Sequence, residues 1–193
     1  MRQDTATQIL DTAERLVQVR GFNAFSYADI AAELGITKAS LHYHFASKAE
    51  LGRALIERYA ERFRAALAEI DARGGDANAK LAAYAEIYAG VLRDHRMCLC
   101  GMLAADYDTL PEPMREAVVA FFDRNEDWLA AVLAQGESEG SLRLGGSERE
   151  AAQTIVSGLE GAMLVARPYG DVSRFESAAT RLLRGFAAQS SPV

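Results

Sequence analysis

Proline occurs only four times, and cysteine twice, in 193 residues. Scarce proline leaves long stretches free of the ring that removes a backbone donor and breaks helices. Two cysteines, Cys98 and Cys100, are too few and too close in sequence to staple a fold, which excludes a disulfide framework. No uninterrupted apolar run approaches the roughly 18 residues of a membrane-spanning helix. The N-terminal MRQDTATQIL puts Asp4 and other polar residues where a secretion signal would carry its apolar stretch, so a cytoplasmic location with no membrane partner is expected. No Gly-rich phosphate loop, HExxH motif or zinc-like spacing of cysteine and histidine occurs, so neither a cofactor nor a metal is expected. GESEG, residues 136–140, formally matches the hydrolase pattern G-x-S-x-G, but that pattern needs a preceding strand and a later histidine. The last histidine is His95 and residues 126–135 read as helix, so the chain is not expected to be an enzyme.

What the sequence has in quantity is helix-forming residues. Half of it is hydrophobic and a quarter charged. Ala, Leu, Glu and Arg dominate while β-branched residues are sparse, which predicts an all-α fold. Thr5 to Arg20 carries Ile9, Leu10, Ala13, Leu16 and Val17 as an amphipathic stripe, with Gly21 as its stop. Ser26 caps a second helix with Asp29 in its first turn and Gly35 at its end. Thr37 caps a third helix running to about Phe45. Ser47 caps a long fourth, which bears Leu51, Leu55, Tyr59, Phe63, Leu67 and Ile70 and ends near Gly74 and Gly75. Further helices are expected over residues 81–91, 97–107 and 114–134. Ser147 and Glu150 stand at capping-box spacing, and two last helices break at RPYGD. Ser190 to Val193 should fray. A seam near Ser47 divides the chain into residues 1–47 and 48–193.

A net charge of −6 argues against a polyanionic partner, but its distribution is uneven. Residues 35–48 hold Lys38, Lys48, His42 and His44 and no acid. Two short helices joined at a glycine have the dimensions of a helix-turn-helix, and Ala31 and Gly35 are expected where larger residues would push the crossing helices apart. If the second helix lies in a major groove, its N-terminal residues meet base edges and the residues around it meet phosphates. Leu41 and Phe45, four apart, then face the core, while Ala39, His42 and Tyr43 spread over the outer surface. Lys38 and Ser40 would donate to bases or phosphate, Tyr43 and His44 to phosphate oxygens, and Lys48 would add a point charge. Binding should then weaken steeply with salt. The bland alternative is that both histidines are simply exposed or packed on a helix hairpin.

The stretch FSYADIAAELGITKASLHYHFASKAEL resembles the DNA-binding signature of the TetR family of transcriptional repressors. The likeness rests on Gly21 and Phe22, Asp29 to Ala31, Leu34 to Ile36, and Tyr43, His44, Phe45, Lys48 and Leu51. One position departs, because the residue after Leu41 is usually tyrosine and here is the shorter His42. The resemblance implies an N-terminal three-helix helix-turn-helix DNA-binding domain followed by a larger helical ligand-binding and dimerisation domain. It also implies a homodimer that sits on a palindromic operator in double-stranded DNA and is released by a small-molecule effector. The DNA-contacting set is Ser26, Tyr27, Thr37, Lys38, Ala39, Ser40, His42, Tyr43, His44 and Lys48.

For the larger part, an aromatic and methionine-rich set suits an apolar or planar ligand: Tyr59, Phe63, Tyr84, Tyr88, Met97, Cys98, Met102, Phe121, Phe122 and Trp128. The same residues would equally fill a core. The last two helices carry Ile155, Gly158, Leu159, Ala162, Met163, Phe175, Leu182 and Phe186, an apolar stripe with small residues fit for a four-helix dimer interface or for intramolecular packing. Cys98 and Cys100, near His95 and Arg96, are candidate redox or electrophile sensors, with plain burial as the other reading. About 200° apart on a helix, the two thiols should point to different faces. A second functional class is a helical small-molecule-binding or scaffold protein that does not read DNA.

Overall fold

The computed structural model describes residues 4–188. Among them are nine α-helices: α1 (Thr5–Arg20), α2 (Tyr27–Leu34), α3 (Lys38–His44), α4 (Lys48–Arg73), α5 (Ala77–Arg93), α6 (Leu99–Ala105), α7 (Glu112–Glu139), α8 (Glu148–Ala166) and α9 (Val172–Arg184). Short 3-10 turns follow α6 at Tyr107–Thr109 and α8 at Arg167–Tyr169. The expected helix over 97–107 is shorter at both ends, and α7 runs beyond both of its expected bounds. The expectation for Ser190 to Val193 lies outside the described residues.

The chain packs as two compact units, residues 1–62 with 96–121 and residues 63–95 with 122–193. α4 and α7 each pass from one unit to the other, so the partition by packing is not the partition at Ser47 and Lys48. In the first unit, Ile9, Ala13, Leu16 and Val17 of α1 are buried, as are Ile30 and Ala31 of α2 and Leu41 of α3. Burial of this apolar stripe is what makes α1 a helix in context, since propensity alone contributes little. The carboxylate of Glu14 is buried between α1 and α4, where it accepts from Arg58 at 2.8 Å and from Arg62, while Arg58 also reaches Asp11 at 2.7 Å. A second α1 pair, Arg15 with Glu33, ties α1 to α2.

α2 ends at Gly35, which is left-handed (φ 64°). A Cβ added there would meet nothing within 4 Å, so this turn needs glycine for its backbone angle and not, as expected from the sequence, for close helix approach. Thr37 caps α3 by accepting from Ser40 N at 3.1 Å, and Ser47 caps α4 by accepting from Glu50 N at 3.1 Å.

The second unit is built on α5, α8 and α9. α8 starts with the expected capping box, Ser147 accepting from Glu150 N at 3.2 Å and donating to its carboxylate. Close approach matters at Gly158 of α8, where a Cβ would fall 2.5 Å from Leu182 Cδ2 of α9. Among the described residues one antiparallel bridge, Leu142 with Ala187, brings the segment after α9 against the loop after α7.

Candidate nucleic-acid interface

α2 and α3 form the helix-turn-helix, and their buried residues fix which way α3 faces. Leu41 is wholly buried and Phe45 nearly so, which turns Lys38, Ala39, His42 and Tyr43 to solvent. Tyr43 is 86% exposed, its ring edge-to-face with that of His44 at 5.3 Å between centres. Ser40 and His44 are half-buried beside it, and Thr37 is exposed at the cap. These seven residues form one outward surface, as the sequence predicts.

Three members of the expected contact set bond to other residues of the head. Tyr27 is buried, and its hydroxyl donates to the Phe45 carbonyl at 2.9 Å, bracing α2 against the end of α3. Burial, and secondarily the charge of Glu50, pushes its pKa up to about 12. Ser26 donates both its hydroxyl and its backbone N–H to Asp29, each at 2.7 Å, and holds that carboxyl below its ordinary range. Lys48 is held as well. Its ammonium donates to the carbonyls of Phe22 and Phe25 at 2.5 Å each and lies over both rings, 4.5 and 4.2 Å from their centres. Desolvation pulls its pKa down from the lysine value, against the opposing charges of Asp106 and Asp29. Two of its three donors are therefore occupied, and Lys38 is the single Lys or Arg on α3.

His42, the position that departs from the family pattern, has its Nδ1 at 3.2 Å from the Ala46 carbonyl. A carbonyl only accepts, so Nδ1 carries the hydrogen. Its ring also packs on Tyr27 with centres 4.8 Å apart. The imidazole thus closes the end of α3 while staying exposed.

The aromatic and methionine set divides between the two units. In the first, Tyr59 packs on Phe121 (5.6 Å) and donates to Cys98 Sγ (3.7 Å), with Met97 buried and Met102 half-buried. In the second, Phe63 meets the edges of Tyr84 and Tyr88 (5.9 and 6.0 Å), Trp128 stacks on Tyr84 (5.7 Å), and Phe122 is half-buried. Asn125, missed in the sequence, accepts from the Tyr84 hydroxyl at 3.2 Å, and the two tyrosine hydroxyls lie 3.1 Å apart. A signal was there: Asn125 stands four after Phe121 and four before Leu129, on the apolar stripe of α7. Trp128 also donates to Asp71 at 2.8 Å, and Lys80 does so at 3.0 Å; these bonds outweigh burial and hold that carboxyl below its usual range. A separate groove of about 280 Å³ lies between α5 and α9, lined by Ala82, Ala85, Ala89, Phe175 and Leu183 among others, and none of the ten expected residues borders it.

Half of the expected dimer set is buried and half is partly exposed. Ile155, Leu159, Met163 and Phe175 are at most 1% exposed. Gly158 and Leu182 pack on one another, and Ala162 and Phe186 are half-buried. The large apolar side chains exposed at this end of α8 and in the turn after it are Leu164, Val165 and Tyr169, each 60% exposed or more. Cys98 and Cys100 are both buried; α6 begins at Leu99, so the two do not share a helix and the expected separation of faces does not apply. Burial of both thiols favours packing over sensing, because an attacking thiolate needs access. Ser138 of GESEG lies inside α7, not on a strand-to-helix elbow. Among the described residues no cluster of His, Cys, Asp and Glu could hold a metal ion, and no helix is long and apolar enough to cross a membrane.

Comparison with known proteins gives a consistent picture. Residues 9–55 match the family described as bacterial regulatory proteins, tetR family, and residues 77–182 match the tetracyclin repressor-like C-terminal domain. The chain is similar to a TetR-family transcriptional regulator of known structure from Agrobacterium tumefaciens, at 37% identity, 95% and 97% coverage of the two chains and a TM-score of 0.91. A TetR regulator from Legionella pneumophila follows at 32% identity, 96% and 98% coverage and a TM-score of 0.86. The HTH-type transcriptional repressor NemR of Escherichia coli is 27% identical over 172 residues, 85% of this chain and 84% of that protein.

Proposed function

Given that this chain belongs to the TetR family and is a DNA-binding transcriptional regulator, we propose that it is a homodimeric repressor that leaves a palindromic operator when a small apolar or planar effector binds. The observation that carries the DNA reading is the outward surface of α3, with Tyr43 held 86% exposed beside Lys38, Ala39, His42 and the capped Thr37. Lys38 and Ser40 read bases or phosphate, and Tyr43, His42 and His44 meet the backbone. Tyr27 and Lys48 brace the head, and the exposed Ser26 starts α2. A twofold operator requires two heads, placed about 34–36 Å apart or a multiple of it. The exposed Leu164, Val165 and Tyr169 supply the partner face together with the half-buried Gly158, Ala162, Leu182 and Phe186. The repressor sense leans on the likeness to NemR. The aromatic clusters around Tyr59 and around Tyr84 supply effector contacts, with the hydroxyls of Tyr84 and Tyr88 and the amide of Asn125 as polar partners for a planar ligand. Operator and effector then weaken each other by the same factor. A DNA regulator works in the compartment that holds the DNA, here the cytoplasm.

Selection of bound duplexes from a random pool tests this. A palindrome should emerge, and Lys38→Ala should change its preferred sequence or weaken it. Lys38 is the one Lys or Arg on α3, so Lys38→Ala should make the slope of log K against log salt shallower by about 1 per head. A monomeric protein that enriches no duplex at any salt defeats the proposal and leaves the scaffold alternative.

A further inference from the structure

We infer that Asp106, immediately after α6, is a positioning residue for DNA binding: its carboxylate holds the α1–α2 loop in the shape that seats Lys48 and starts α2. The loop, residues 21–26, is gripped from two sides. Its N–H groups face the anion, Phe22 N donating to Asp106 Oδ2 at 2.8 Å and Asn23 N to the same oxygen at 3.4 Å. Its carbonyls face the cation, those of Phe22 and Phe25 accepting from Lys48 Nζ. The peptide dipoles of the loop are thus aligned between a carboxylate and an ammonium, and charge-assisted bonds of this kind are the strong ones.

Two further features support a built site. The Asn23 side chain donates to Thr109 Oγ1 at 2.7 Å, and that hydroxyl donates to the Asp106 carbonyl at 2.7 Å, so the turn that carries Asp106 is itself tied to the loop. Gly21 has φ 89°, and a Cβ there would lie 3.1 Å from Asp106 Oδ2 and 3.7 Å from Met102 Cε. Glycine is needed at that point both for its backbone angle and for the carboxylate's approach. Upstream, Met97 N donates to the Gln18 carbonyl at 3.2 Å, so residues 97–109 hold the end of α1 and the loop at successive points.

The link to binding is short in sequence. Tyr27, which opens α2, is two residues past Phe25, and α3 follows it across one glycine turn. Without its anion the loop samples other shapes, and only the fraction with Lys48 seated presents α3 correctly. Apparent affinity falls by that fraction, so a head competent one time in ten binds about tenfold more weakly. Asp106 itself touches no DNA, so the salt slope and the preferred sequence stay as in the parent.

The inference rests on the DNA-binding reading above, and the experiment separates the two. The full chain, Asp106→Ala and Asp106→Asn are titrated against the duplex that the parent chain enriches, with amide hydrogen exchange read at Phe22 and Asn23. Asp106→Ala should bind about tenfold more weakly per head, about a hundredfold for the dimer on both half-sites, with an unchanged salt slope and faster exchange at those two amides. Asp106→Asn keeps an acceptor and should recover most of the affinity and protection. Unchanged affinity in Asp106→Ala overturns the inference, as does weaker binding without faster exchange at Phe22 and Asn23. If Asp106→Ala does not fold, Asp106→Asn decides alone: exchange and affinity both identical to the parent overturn it, a small loss in both supports it. A parent chain that enriches no duplex overturns the DNA reading instead.

Discussion

The two compact units hold themselves together by different means. In the unit that bears the helix-turn-helix, α2 and α3 have 8 and 7 residues and bury only three residues and one residue, respectively. In the other, α5 and α8 have 17 and 19 residues and bury seven each. Short helices cannot remove enough apolar surface from water to define their own position. The head instead relies on side chains that bond to distant backbone: Tyr27 to Phe45, Lys48 to Phe22 and Phe25, Asp106 to Phe22. The lesson is that polar residues near a recognition helix are divided between presenting a surface and fixing its frame, and sequence position does not say which.

Three substitutions sharpen the contrast. The largest effect should come from Phe175→Ala, which empties the fully buried centre of the α5, α8 and α9 packing and should cost about 3–5 kcal/mol in denaturant unfolding; a loss near zero would break the comparison. Tyr27→Phe removes one brace of the head and should cost about 1 kcal/mol. Because the folded pKa of Tyr27 is raised to about 12 from 10.0, its contribution is fully present below pH 10 and is lost as pH rises through about 12. The decline in stability over that window should be shallower in Tyr27→Phe, and an identical decline would mean that the phenol is not held as described. The smallest effect belongs to Arg93→Ala. Arg93 pairs with Glu86 and with Glu176 at 2.7 Å on the open surface of the second unit, and exposed pairs of this kind rarely shift an unfolding midpoint measurably.

The helices were legible because their signals are local. Ser147 with Glu150, Thr37, and the stripe from Ile9 to Val17 act within a turn or two of themselves, so residue order is enough to place them. The outward surface of α3 was legible for the same reason: Leu41 and Phe45 are four apart, which fixes the opposite face. Asn125 left a faint mark as a polar residue on the α7 stripe. Asp106 left none, since its partners Phe22 and Asn23 are more than 80 residues away.

The sequence by itself determined an all-helical chain, the position of its helix-turn-helix and the family signature across residues 21–51. Only the tertiary structure decided that Lys48 clamps a loop, that Ile155, Leu159 and Met163 are interior, and that Leu164, Val165 and Tyr169 are exposed. An amphipathic stripe states that a face will be buried but not against what, and a charged side chain states that it needs a partner but not where; both are settled by which distant segments pack together.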